Sequence, residues 1–170
     1  MPISADHTRI AKPSLADYLA VMTRAVFQGG LSWAAIDSQW EALRESFDDF
    51  DIAEVARYRT PDIERLMTTD GILHSKRKIE ATIKNAATIL ELDKEYKGFR
   101  NYLRSLRSYE ELTADLKRRF KFVGAISAYY FLYRVGEEVP PFKQWIKTVE
   151  GDHPRIEEMV GEQKSKAVKK

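Results

Sequence analysis

Apolar residues in this chain recur with the period of a helix, and no stretch alternates convincingly with the period of a strand. Leu15, Tyr18, Leu19, Met22 and Val26 fall at i, i+3, i+4, i+7 and i+11, which is one stripe of a helix. Ile36, Trp40, Leu43 and Phe47 form a second stripe in a helix that begins near Trp33. Ile79, Ile83, Ala86 and Leu90 form a third in a long helix after Ser75. A chain patterned this way buries its apolar surface by packing helix on helix, so the expected class is all-α.

Local signals place the helix ends. Ser14 with Asp17, and Ser108 with Glu111, have the spacing of a capping box. Asp51 caps a short "IAEVARY" helix. Thr60 before Pro61 opens another, because proline suits the first helical position. Gly29 is expected to stop the first helix, and Gly71 supplies the positive φ of the "TTDGIL" turn. An apolar helix should run from Ala125 to Val135 and stop at Gly136. After the break at Pro140 and Pro141, a last helix is expected through Phe142, Trp145, Ile146 and Val149. Residues 150–170 read as a polar, frayed tail.

With 170 residues and no repeat, the chain is expected to form one domain, residues 1–170, long enough for a core without cross-links. There is no cysteine for a disulfide or a thiolate metal site. His7, His74 and His153 lack a ligand spacing, so no metal and no cofactor are expected. No apolar run approaches the roughly 20 residues of a membrane span, and the N-terminus lacks a secretion signal. A soluble, cytoplasmic, monomeric protein is expected.

The net charge of +2 hides an uneven distribution. Basic residues cluster in "HSKRK" (74–78) and "LKRRFKF" (116–122), and a localised basic surface is the electrostatic footprint of a nucleic-acid binder. In "LKRRFKFVGAISAYYFLYRVG" a basic helix meets an apolar one across a tight glycine-containing turn. That joint, spanning about 112–136, turns the first amides of the second helix outward as an anion site beside Lys117, Arg118, Arg119 and Lys121. A plain helical hairpin with a solvated rim fits the same residues equally well. Lys76, Arg77 and Lys78 lie in the first turn of the long helix, where cations oppose the dipole. Solvated charge is the simpler reading there, and anion binding the functional one. Finally, "FQGGLSW" places two glycines directly before Trp33. The indole belongs to a core stripe, yet the position also lets a ring face a cleft.

"QGGLSW" before an apolar helix, then "DGILHSKRKIEATIKNA", then "LKRRFKFVG" resembles 3-methyladenine DNA glycosylase I, of the helix-hairpin-helix glycosylase superfamily, over roughly residues 15–136. The resemblance implies a helix-hairpin-helix glycosylase-like fold and, as partner, double-stranded DNA with an extruded damaged base. Phe120, Lys121, Phe122, Val123 and Gly124 would offer amides to a backbone phosphate, with Lys117, Arg118, Arg119, Lys76 and Arg77 completing the DNA-backbone surface. Trp33 would stack on the base in a pocket shaped by Gly29, Gly30, Leu31 and Ser32, with Gln28 at its approach.

The implied activity is monofunctional hydrolysis of the N-glycosidic bond of an alkylated base in base excision repair. A ring-alkylated purine is cationic and leaves neutral, so no general acid is required, and shape selection of a flipped base does most of the work. The sequence departs from the family in several ways. Ala25 occupies the position of the pocket glutamate, and the N-terminal tyrosine and zinc ligands have no counterparts. The superfamily's aspartate beyond the hairpin is replaced by Glu137 and Glu138, which read as solvated. Lys121 lies near the position of a lyase lysine, but the surrounding pattern is the monofunctional one. No catalytic residue is assigned. A non-catalytic DNA-binding or damage-sensing protein on the same fold, or a helical interaction module, are the alternatives.

Overall fold

The computed structural model describes residues 8–29 and 33–149, and among them there is no strand. The helices are α1 (Leu15–Gln28), α2 (Trp33–Ser46), α3 (Ile52–Ala56), α4 (Thr60–Thr68), α5 (Lys76–Tyr96), α6 (Phe99–Leu103), α7 (Tyr109–Arg119), α8 (Ala125–Arg134) and α9 (Phe142–Trp145). Short 3-10 turns lie at Asp48–Phe50 and Ile146–Thr148. No helix among the described residues is long and apolar enough to cross a membrane.

Most ends lie where the local chemistry puts them. Ser14 Oγ accepts the Asp17 amide at 3.1 Å while Asp17 accepts the Ser14 amide at 2.8 Å. Asp51 and Ser75 accept the amides of Glu54 and Lys78. At α7, Ser108 Oγ accepts the Glu111 amide, and Glu111 reaches one residue further back, to the Arg107 amide. Helix α4 begins at Thr60 as expected, with Arg59 at its cap and Asp62 accepting the Arg59 amide at 2.9 Å. Gly29 ends α1 as expected, at a φ of −61°. One expectation needs correction: the last helix is a single α-turn at Phe142–Trp145 followed by a 3-10 turn over Ile146–Thr148. The tail from residue 150 lies outside the described residues, as do His7 and His153.

Helix α1 is the axis of the fold. Its stripe predicts one buried face, but every residue from Tyr18 to Gln28 is buried, because α2, α3, α5 and α8 pack around it. Such encirclement is tolerable only if its polar side chains have partners. Thr23 Oγ1 donates to the Leu19 carbonyl, and the fully buried Arg24 donates through Nε to Gln28 Oε1 at 2.8 Å and pairs with Asp37. Facing helices contribute Ile36, Trp40 and Leu43 from α2, Ile79, Ala86 and Ile89 from α5, and Ala128, Phe131 and Leu132 from α8.

At the far end of α8 an N-terminal strap closes the core. The Ile10 amide donates to the Arg134 carbonyl at 2.7 Å, and Arg134 Nε donates to the Thr8 carbonyl at 3.0 Å. Gly136, at a φ of +83°, passes so near that a Cβ there would lie 2.8 Å from the Ile10 oxygen. Glu137 follows and is buried, not solvated: Arg104 Nε donates to its carboxylate at 3.0 Å, with Arg100 Nε 3.9 Å away. Glu138 is exposed, as expected.

Candidate nucleic-acid interface

The fold gathers three chain segments that the sequence keeps apart. The C-terminal end of α1, the N-terminal end of α5 and the turn between α7 and α8 share one face of the molecule. The α1–α5 joint is made by Lys78. Its ammonium donates to the Gly29 carbonyl at 2.5 Å and reaches the Phe27 carbonyl at 3.4 Å. Carbonyls at a helix C-terminus lack partners within the helix and carry the negative end of its dipole, so this cation is well placed. The solvated-charge reading of the basic tip therefore fails for Lys78. Lys76 lies 3.8 Å from Glu80 one turn along, and Arg77 lies with its guanidinium 5.3 Å from the Phe122 ring centroid.

The α5–hairpin joint is made by Asn85, a residue that sequence reasoning passed over. Its Oδ1 accepts the Lys121 amide at 2.8 Å and its Nδ2 donates to the Lys121 carbonyl at 3.2 Å. Its only sequence signal is a polar residue beside the apolar stripe of α5. Phe120 and Val123 anchor the turn in the core, leaving Lys121, Phe122 and Gly124 exposed. At Gly124, a Cβ would meet nothing within 4 Å. The N-cap of α8 is Gly124, and no side chain caps the first turn.

The arginines preceding the turn are less available than their sequence suggests. Arg118 and Arg119 both pair with Asp115, which also accepts the Tyr102 hydroxyl at 2.6 Å. Partial burial pushes the Asp115 pKa up, but hydrogen bonds from Tyr102, Arg118 and Arg119 outweigh it and hold the carboxyl below its ordinary value. Burial and the facing Asp115 raise the Tyr102 phenol in turn. Lys117 is exposed on α7 and lines a groove of about 630 Å³ with Tyr109, Thr113 and Trp145.

The residues expected to form a base pocket lie at the α1 end of this face. Trp33 is only 4% exposed, and its ring meets Tyr130 edge-on at a centroid distance of 5.3 Å. Tyr130 Oη accepts from Arg134 at 3.2 Å, and burial raises its pKa. Gln28 is buried and accepts from Arg24, instead of standing at an open approach. Ala25 is buried, with Ser127 Oγ of α8 at 3.5 Å from its carbonyl oxygen. Gly29 is exposed, whereas Gly30, Leu31 and Ser32 lie outside the described residues. Among the described residues, no group of three histidine, aspartate or glutamate side chains gathers in a metal-binding arrangement.

Residues 16–117 match the model of the methyladenine glycosylase family, a span that ends just before the hairpin turn. The DNA-3-methyladenine glycosylase 1 of Escherichia coli is 30% identical over 130 residues, which cover 64% of this chain and 70% of that protein. The DNA-3-methyladenine glycosylase of Haemophilus influenzae is 27% identical over the same length, with the same coverage of each. Among solved structures, a variant of 3-methyladenine DNA glycosylase I in complex with 3-methyladenine superposes with a TM-score of 0.67 at 27% identity. That match covers 76% of this chain and 81% of the other. The Staphylococcus aureus 3-methyladenine DNA glycosylase I gives a TM-score of 0.67 at 28% identity, covering 78% and 82%. These matches agree with the resemblance carried by the three sequence blocks, and with the all-α, glycosylase-like fold.

Proposed function

The chain belongs to the methyladenine glycosylase family, and we propose that it is a DNA-binding, monofunctional N-glycosylase that removes an alkylated base in base excision repair. The observation that carries this reading is the shared face of α1, α5 and the hairpin. Lys78 ties Gly29 to α5, and Asn85 ties α5 to Lys121, so a backbone-phosphate site and a base site would stand together.

The chemistry asks little of the side chains. In a ring-alkylated purine nucleotide the base is already cationic, so the C1′–N bond breaks with the electron pair leaving on nitrogen and the base departs neutral. Water then adds its oxygen to C1′ of the oxocarbenium-like sugar and gives up a proton. The protein's part is to bind the duplex, hold the extruded nucleotide and exclude undamaged bases by shape. Trp33 and the neighbouring Ala25, Gln28 and Gly29 are the proposed base site. Gly124 and the first amides of α8, with Lys121, Lys117 and Arg77, are the proposed phosphate surface. The protein would act as a monomer and without a metal.

The test is single-turnover release of N3-methylated adenine from an alkylated duplex, measured beside a binding titration on the same duplex. Release by the wild-type protein supports the assignment. Ala25→Glu, which places a carboxylate at the family's pocket position, should raise release of the cationic purine. Duplex binding with no release from either protein would overturn the enzymatic reading.

A further inference from the structure

The proposed reaction begins with a cationic base, yet the charges already placed at its site are cationic too. Arg24 is fully buried in α1 beside Ala25, and the Lys78 ammonium is held at the Gly29 carbonyl. A base of the same sign would be repelled unless a carboxylate stood close by. The helices around Trp33 offer few. From Tyr18 to Gln28 α1 has no acidic residue, and α8 has none from Ala125 to Arg134. On α2 the first acidic residue is Asp37, one turn beyond Trp33 on the same face of the helix.

Asp37 is tied to the proposed base site from two sides. Its Oδ1 pairs with the Arg24 guanidinium, and Arg24 Nε donates to Gln28 Oε1 at 2.8 Å. Arg24 and Arg134 both act on the Tyr130 phenol, whose ring meets Trp33 edge-on at 5.3 Å. The Asp37 side chain is 40% exposed, so a ligand can reach it, and its Oδ2 accepts no hydrogen bond among the described residues. Stability alone does not require this arrangement. Apolar residues of the same volume would pack the centre of the fold as well as a buried ion pair does, or better. What the pair adds is a carboxylate held in a fixed place with one oxygen unbonded.

We propose that Asp37, positioned by Arg24, is the specificity-determining carboxylate of the base site, accepting a cationic alkylated purine in preference to neutral bases. Its role is in capture. As the C1′–N bond breaks, positive charge moves from the base to the sugar, so a carboxylate beside the base favours the bound nucleotide more than the bond-breaking step. This rests on the glycosylase reading above, and it adds an electrostatic choice of substrate to the selection by shape.

The experiment measures binding of two small probes to the full chain: 3,9-dimethyladeninium, which is permanently cationic, and neutral 9-methyladenine. The wild-type protein should bind the cation about fivefold or more tighter. Asp37→Asn should bring the two affinities together, and Asp37→Glu should keep most of the preference. Because Asp37→Asn leaves the buried Arg24 without a counter-ion, the double variant Arg24→Met with Asp37→Asn removes that charge and should lose the preference as well. Both variants should still bind 9-methyladenine as the wild type does, which a collapsed site could not. A preference kept by either variant, or absent from the wild type, overturns the role of Asp37 and leaves the base site standing. Loss of both probes together would make the pair structural and also overturn it. A wild-type protein that binds neither probe and releases no base from an alkylated duplex overturns the glycosylase reading with it.

Discussion

Asn85 and Lys121 exchange two hydrogen bonds, the Lys121 amide donating at 2.8 Å and the Asn85 amide group donating back at 3.2 Å. One buried side chain on α5 thereby holds the backbone of a turn that Phe120 and Val123 also anchor in the core. The register of the proposed phosphate site depends on this pair.

Asn85→Ala should therefore cost about 1–3 kcal/mol, because it strips the Lys121 amide and carbonyl of their partner. Asn85→Asp keeps the acceptor but sets a buried carboxylate against the Lys121 carbonyl, and should cost at least as much. Chemical denaturation gives the stability, and a duplex titration should show weakened binding in the same order. An alanine variant as stable as wild type would mean that the clamp adds nothing.

Trp33→Ala should lower stability by about 3–5 kcal/mol, the cost of emptying a large aromatic site in a packed core. Trp33→Phe fills most of the space and should fold. If the ring also receives a base, that variant should release base more slowly at unchanged duplex affinity, since the smaller ring loses part of a stacking contact of about 1–3 kcal/mol. Comparing melting temperature with single-turnover release separates the packing role from the stacking role.

Asp115 predicts an acid limb in the stability curve. Its folded pKa is lowered, so its contribution is complete above the unfolded value of about 3.9 and is lost as pH falls through the folded value. Asp115→Asn should be less stable than wild type at neutral pH, and the gap should shrink as the pH drops below about 4. The same substitution releases Arg118 and Arg119 and should steepen the salt dependence of duplex binding. Melting curves across that range test the first effect. A gap that stays constant with pH would show that the pairing carries no net energy.

Gly136→Ala should destabilise the protein by more than about 1 kcal/mol, because it combines a positive φ with a Cβ that would press on the Ile10 carbonyl. The loss should appear first at the N-terminal strap. Amide hydrogen exchange at Ile10, whose amide is bonded to Arg134, should speed up before the core amides change.

The sequence by itself determined what depends on residues a few positions apart. Helix period, the Ser14 and Ser108 caps and the joint between α7 and α8 are set by contacts within one turn, so their signals lie in short windows. The family resemblance was legible for the same reason, being carried by three contiguous blocks. Tertiary structure alone decided how the polar groups are used, because their partners lie far along the chain. Lys78 meets a carbonyl 49 residues away, Asn85 a backbone 36 away and Arg104 a carboxylate 33 away. Charge pattern could not tell the Lys78 that caps α1 from the Lys76 beside it, nor the buried Glu137 from the exposed Glu138. Periodicity likewise put Trp33 on a stripe without showing that Tyr130 would cover its ring. A side chain's type fixes what it can bond, but only the packing of distant helices fixes which partner comes within reach and whether water is excluded.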